Sequence, residues 1–274
     1  MSLWFLCAHL RPADKQHINQ LLRDERFEGE AHYIDFDARA RFGHLPALHG
    51  DWTAYGRLLV PSLIAADTCL YLDADLVINL DIRQLQHVLL DGHLLAAASG
   101  CAVAESLDRT FFIDSLGWTP AIPYFNSGVV LFNSKLWRKQ RADDQWSKLA
   151  LAHGPALISH DQTILNAICG GHFLVLPDEL NNAWYPARPQ PPGSNQSVIH
   201  FVGSPKPWDV LGRALHRGYD VWQVYHTQQW HKQYGGLTFE KLGRYWKIRR
   251  SILKNILGQW PSMANATKKA PASF

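Results

Sequence analysis

The stretch Cys69-Leu-Tyr-Leu-Asp73-Ala-Asp75-Leu-Val-Ile78 constrains the fold more than any other part of the chain. Its first four residues form an apolar run that reads as a buried strand, and two carboxylates two residues apart end it. Another apolar run follows at once, so Asp73 and Asp75 do not belong to a solvated charged surface. Side chains on a strand repeat with period two, so the two aspartates can point the same way. Converging carboxylates raise each other's pKa unless positive charge sits between them. A hard divalent cation with oxygen ligands meets that need, and a phosphate group is its usual companion. The ordinary explanation for a lone Asp-x-Asp is a helix cap or an Asx turn.

Around this stretch the chain alternates strand and helix signals. Strands are predicted at residues 3–9, 31–36, 69–72, 94–99, 125–132, 173–176 and 198–202, and helices at 12–22, 53–64, 85–90, 136–151 and 159–168. Such alternation predicts an α/β fold, a mostly parallel sheet flanked by helices. Ligands of these sheets sit beyond the carboxyl ends of strands, where Asp73 and Asp75 fall.

Of the 274 residues 47% are hydrophobic and 19% charged, the profile of a globular protein with one large domain and room for an appendage. Cys7, Cys69, Cys101 and Cys169 are far apart, show no metal-binding spacing and suggest a reducing compartment. Residues 1–10 lack the basic region and cleavage site of a signal peptide. No apolar run approaches the length of about 18 residues that suggests a membrane span. Charge is unevenly spread. From Trp230 onward nine Lys/Arg face one acid, Glu240, so a tail of +8 leaves 3 − 8 = −5 for residues 1–229. We therefore divide the chain into a main body, 1–229, and a basic tail, 230–274. Ile248, Ile252 and Ile256, with Tyr245, Leu253 and Leu257, recur at helical spacing among the tail's cations, and Trp246 and Trp260 stand beside them. That pattern suits a helix lying on an anionic membrane surface. The stretch after Pro261 reads as a frayed end. With basic charge confined to the tail, nucleic acid is not an expected partner.

Four further stretches join the Asp-x-Asp: Thr53-Ala-Tyr-Gly-Arg57-Leu, Tyr124-Phe-Asn126-Ser127-Gly-Val, His160-Asp161-Gln162-Thr-Ile-Leu-Asn and His200-Phe-Val-Gly203-Ser-Pro-Lys206-Pro-Trp208. In this set and order, over residues 3–208, the chain resembles the retaining glycosyltransferases of family 8. That GT-A fold group includes glycogenin and bacterial lipopolysaccharide galactosyl- and glucosyltransferases. The resemblance implies a GT-A fold, a UDP-galactose or UDP-glucose donor, and an oligosaccharide or lipid-linked acceptor such as lipopolysaccharide. Together with the basic tail, this reading places the enzyme in the cytoplasm, with the tail on the inner face of the plasma membrane. It also implies that Asp73, Asp75 and His200 hold manganese, or magnesium, against the donor diphosphate. Donor-binding roles fall to Arg57, Asp73, Ala74, Asp75, Asn126, Ser127, Gly203 and Lys206, and catalytic roles to Asp161 and Gln162.

Each of these residues has an ordinary explanation beside the implied one. His200 could be a strand-end histidine bonded to backbone, and Arg57 a surface ion pair. Ser159-x-x-Gln162 matches a capping box, which would make Gln162 a helix cap. Retention by double displacement needs an enzyme nucleophile, for which only Asp161 and the weakly nucleophilic Gln162 are at hand. A front-side route, with the leaving diphosphate taking the acceptor proton, is therefore expected. One departure stands out. About 70 residues precede Asp73, and the first predicted strand resembles the family's second, so the strand that grips the nucleoside is expected to be missing. A non-catalytic module that binds glycans through its eleven Trp, and a haloacid-dehalogenase-like phosphatase with Asp73 as nucleophile, are the competing readings.

Overall fold

A computed structural model describes residues 1–266, with side chains described to residue 257. In chain order the elements begin β1 (Ser2–Cys7), α1 (Pro12–Asp24), β2 (Glu30–Asp35), α2 (Ala38–Phe42), a 3-10 helix (Thr53–Leu59), α3 (Val60–Leu63), β3 (Cys69–Leu72), β4 (Leu76–Ile78) and β5 (Leu95–Ala102). They continue with β6 (Pro123–Phe125), β7 (Val129–Phe132), α4 (Ser134–Lys139), α5 (Ala142–His153), α6 (Asp161–Cys169), β8 (Leu174–Leu176), β9 (Asn182–Ala183) and β10 (Val198–His200). The C-terminal part is helical: α7 (Gly212–Leu215), α8 (Tyr219–Gln223), α9 (Gln228–Tyr234) and α10 (Phe239–Ala266).

The central sheet runs β3-β7-β5-β6, with β8 on β5. Pairing is antiparallel at β3–β7, β5–β7 and β5–β6, and parallel at β5–β8. A second sheet joins β4 to β10 antiparallel and β10 to β9 parallel, which brings His200 opposite Leu76, one residue beyond Asp75. β1 and β2 pair in parallel as a sheet of their own. Among the described residues no strand links that pair to β3. The main core packs Phe42, Tyr55, Leu58, Phe112, Phe125, Phe132, Trp137 and Ile164 between sheet and helices, all fully buried. Each such side chain contributes roughly 1.5–3 kcal/mol by leaving water. The four cysteines are free thiols. No described helix is long and apolar enough to cross a membrane.

Three expected elements are broken, each for a local reason. The helix over 53–64 is a 3-10 segment followed by one turn of α-helix, and Pro61, which has no N–H to donate, sits at the junction. The helix over 136–151 divides at Arg141, which takes φ 53°. The strand over 125–132 is interrupted by a turn at residues 126–128, between β6 and β7. The tail helix α10 continues past Pro261 to Ala266, where a frayed end was expected. The side chain of Trp260 and the cations Lys268 and Lys269 lie outside the described residues.

Candidate active site

Asp73 and Asp75 occupy a turn between β3 and β4, not the face of a strand. Two backbone bonds hold that turn: Asp73 N–H donates to the Gly128 carbonyl (2.8 Å) and Phe201 N–H to the Asp75 carbonyl (3.1 Å). The period-two expectation is thus replaced by a turn clamped between the β6–β7 connection and β10. The outcome is still convergence, since carboxylate oxygens of Asp73 and Asp75 and a ring nitrogen of His200 all lie within 4.8 Å of one another. His200 Nε2 is 3.2 Å from Asp75 Oδ1 and 3.8 Å from Asp73 Oδ2. His200 Nδ1 pairs with Asn181 Oδ1 at 2.9 Å, a side-chain partner where the ordinary explanation required backbone. Nδ1 is thus engaged from behind and Nε2 faces the carboxylates, the orientation of a metal-binding histidine held by a second partner.

Asp75 Oδ1 is buried without an aligned hydrogen bond, an arrangement that costs free energy unless a cation completes it. The donor set of two carboxylates and one imidazole therefore fits a divalent metal. Asp75 Oδ2 accepts from Lys206 Nζ (2.6 Å), which also donates to the Phe201 carbonyl. Burial pushes the Asp75 carboxyl up, but His200 and Lys206 outweigh it and hold the group well below the usual carboxylate range.

Arg57 is no surface residue. It is 6% exposed and forms the hub of the site. Its Nη1 donates to the carbonyl and hydroxyl of Ser127 (2.6 and 2.5 Å), Nη2 donates to Asp73 Oδ1 (2.8 Å), and Nε lies 3.0 Å from Asp161 Oδ2. The guanidinium also sits over the Tyr71 ring, 4.9 Å from its centroid, and the Tyr71 hydroxyl donates to Asp73 Oδ1 (2.8 Å). Burial works against its charge, but Asp161, Tyr71 and the Asp73–Asp75 pair prevail and keep it protonated.

Asp161 begins α6 and is 4% exposed, accepting from Ser127 Oγ at 3.1 Å. Burial raises its carboxyl to about 6, with Arg57 opposing and Asp73 adding to the rise. The capping box does not form. Gln162 Oε1 instead accepts from Asn126 Nδ2 (2.9 Å) and Ser127 N–H (3.2 Å), and its Nε2 donates to the Tyr124 hydroxyl (2.9 Å). Asn126 Oδ1 in turn accepts from Gly128 N–H and Asn181 Nδ2, both at 3.0 Å. The break between β6 and β7 is what frees Asn126 and Ser127 for this network. A strand running through would commit their backbone to the ladder.

All the residues expected at the site except Ala74 and Gly203 are joined by these side-chain contacts. Ala74 lies in the turn between the two carboxylates, and Gly203 adopts φ 77° in the loop after β10, a conformation that suits glycine. Sequence reasoning missed Tyr71, hidden in an apolar run, and Asn181, which orients both His200 and Asn126. It also missed Asp108, fully buried and accepting from Tyr124 and Thr163. Gly128 went unremarked although it is indispensable for space, since a Cβ there would stand 2.3 Å from His200 Cε1. Asp143, in α5, accepts from the indoles of Trp137 and Trp146 and from Ser62, apart from this network.

Similarity to known proteins accords with the geometry. Glycosyltransferase GlyB of Streptococcus pneumoniae serotype 4 is 28% identical over 201 residues, 68% of this chain and 45% of its own length. The lipopolysaccharide 1,2-glucosyltransferase of Escherichia coli K12 is 29% identical over 168 residues, 56% of this chain and 48% of its own. The chain thus spans about half the length of these relatives. Among solved structures, galactosyltransferase LgtC in complex with donor and acceptor sugar analogues superposes with a TM-score of 0.64 at 21% identity, over 89% of this chain and 99% of LgtC. GlyE of Streptococcus pneumoniae TIGR4 gives 0.60 at 20% identity, over 84% and 54%. The fold is accordingly GT-A. Residues 5–212 match the model of glycosyl transferase family 8, and they hold every residue of the constellation just described: the chain belongs to that family.

Proposed function

We propose that the protein transfers a hexose, galactose or glucose, from a UDP-sugar to a glycan acceptor with retention at the anomeric carbon. One observation carries this reading: Asp73, Asp75 and His200 converge where the buried Arg57–Asp161–Ser127–Gln162 network meets the Lys206 loop. Asp73, Asp75 and His200 would hold the cation, and imidazole beside carboxylates favours manganese, with magnesium as the alternative. Bound there, it supplies a Lewis acid for the departing diphosphate. Lys206 adds a second positive charge where the leaving oxygen develops its own, and Gly203 lets backbone pass close to phosphate.

Arg57 fixes Asp73 and, through Ser127, the wall formed by Asn126 and Gln162, against which the transferred sugar lies. Asp161 contributes to that wall through Arg57 and Ser127. Its burial and its two partners disfavour it as a nucleophile and support the front-side route. In that route the acceptor oxygen bonds to C1 on the face the diphosphate leaves, and a diphosphate oxygen takes the acceptor proton.

The acceptor is a lipid-linked or surface glycan reached at the cytoplasmic face of a membrane, a reading supported by the shape of α10. Ile248 and Ile252 are buried against Leu211, Leu215 and Tyr245. The opposite side exposes Phe239, Leu242, Trp246, Leu253 and Leu257, which fall within a narrow arc at 100° per residue. Arg249, Arg250 and Lys254 flank that stripe, as on a helix seated in an anionic interface.

The test is release of UDP from UDP-galactose and UDP-glucose, with manganese or with EDTA, by the native protein and by Asp75→Ala and His200→Ala. Manganese-dependent release lost in both variants supports the transferase. If the native protein neither binds nor cleaves either nucleotide sugar, the catalytic reading is wrong and a glycan-binding module remains.

A further inference from the structure

The bonded contacts of the site run as a chain whose two ends differ in chemistry. Asp161, Ser127, Gln162 and Asn126 form one end, Asp73, Asp75 and His200 the middle, and Lys206 the other end. Beyond Lys206, the neighbouring Pro207 and Trp208 wall a cleft of about 490 Å³ that Ala74 also lines. Ala74 stands between the two metal-facing aspartates, so the cleft opens directly beside them. Its far walls are aromatic. Trp222 stacks on His226 with centroids 4.6 Å apart and leans on Trp208 at 6.0 Å, and Trp230 packs on Tyr234 at 4.4 Å. Trp208 apart, these rings come from residues 222–234, outside the 5–212 segment that matches the family.

We propose that this cleft binds the nucleoside of the donor, with its base against the rings of Trp222 and Trp230; the proposal rests on the nucleotide-sugar reading above. A nucleotide sugar is linear: sugar, diphosphate, ribose, base. With the diphosphate on Asp73, Asp75, His200 and Lys206, and the sugar on the Asp161–Gln162 wall, ribose and base leave at the opposite end. That end is the Ala74–Trp208 mouth. An acceptor has to meet the sugar, so it enters from the other side and does not compete for this space. Flat aromatic faces suit a base, because every base offers a π-face. Arg213 and Lys241, also lining the cleft, suit a ligand that arrives with negative charge.

Calorimetric titration of the full chain with manganese present separates the parts. UDP is expected to bind at least about 10-fold tighter than inorganic pyrophosphate, since one base stacked on aromatic rings is worth that much. Trp230→Ala is expected to erase most of that advantage while leaving pyrophosphate affinity within about two-fold, which also reports that the variant is folded. Trp230→Phe restores it. If UDP and pyrophosphate bind the native protein equally, or if Trp230→Ala binds UDP normally, the proposal is overturned. Normal UDP binding with a raised acceptor KM in Trp230→Ala would reassign the cleft to the acceptor. If neither ligand binds the native protein, the nucleotide-sugar reading falls and takes this proposal with it.

Discussion

Replacing Asp161 with asparagine is expected to stabilise the metal-free protein at pH 8, although it removes one partner from a buried ion pair. Truncating one member of such a pair ordinarily costs about 3–5 kcal/mol, because the other charge is left uncompensated. Here the Arg57 guanidinium keeps Asp73 at 2.8 Å, so it is not abandoned. Asp161 is the group that suffers, since burial outweighs Arg57 and lifts its carboxyl from 3.8 to about 6. Between those values the folded state binds more protons than the unfolded chain, so stability falls as pH rises through the window, and the loss is complete above about 6. At 1.36 kcal/mol per pH unit the ionised carboxylate costs about 3 kcal/mol. Asparagine mimics the protonated acid and escapes that cost. Urea unfolding in EDTA, followed by tryptophan fluorescence, should show Asp161→Asn more stable by about 3 kcal/mol at pH 8 and by about half as much at pH 5. A variant less stable than the native protein at pH 8, with the deficit shrinking toward acid, would refute the reasoning. It would mean that Arg57, not burial, sets the state of Asp161.

Arg57→Met should cost about 3–5 kcal/mol in the same assay at pH 8, because it strands two carboxylates, whereas loss of the exposed, solvent-screened Arg83–Asp81 pair should leave the unfolding transition almost unmoved. Equal effects would contradict the buried hub. Gly128→Ala should leave the fold intact but displace His200, so that manganese affinity measured by calorimetry falls at least about 10-fold; unchanged affinity would remove His200 from the ligand set. Sedimentation with vesicles containing anionic lipid should pull down the native chain. Trp246→Ser with Leu253→Ser should weaken that partition at least about 10-fold without affecting UDP release. Equal binding to vesicles of neutral lipid would exclude the charge-assisted docking of α10.

Legibility in the sequence followed the range of the interactions involved. The Asp-x-Asp turn, the apolar strands on either side and the His200–Lys206 loop were readable because each is a contiguous pattern whose chemistry survives without neighbours. Arg57 and Gln162 were ambiguous. One guanidinium or one amide has the same local sequence context whether it meets water or a network, and only the partner 70 or 36 residues away separates the two cases. Asn181 and Tyr71 carried no signal at all, since their roles are to orient other side chains. The breaks at Pro61, Arg141 and residues 126–128 escaped periodicity for a related reason. A turn that exists to present side chains interrupts a pattern without announcing itself.

By itself, the sequence determined the α/β class, the family, the basic tail and the three residues that can hold a metal, because these depend on residue type, order and local spacing. Tertiary structure alone decided that Arg57 is a buried hub, that Asp161 carries the cost of burial, and that α10 docks by Ile248 and Ile252 while its other stripe stays exposed. It also brought Ala74 and Trp230, 156 residues apart, onto one cleft. Burial and long-range contact are properties of the packed chain, and no window of sequence contains them.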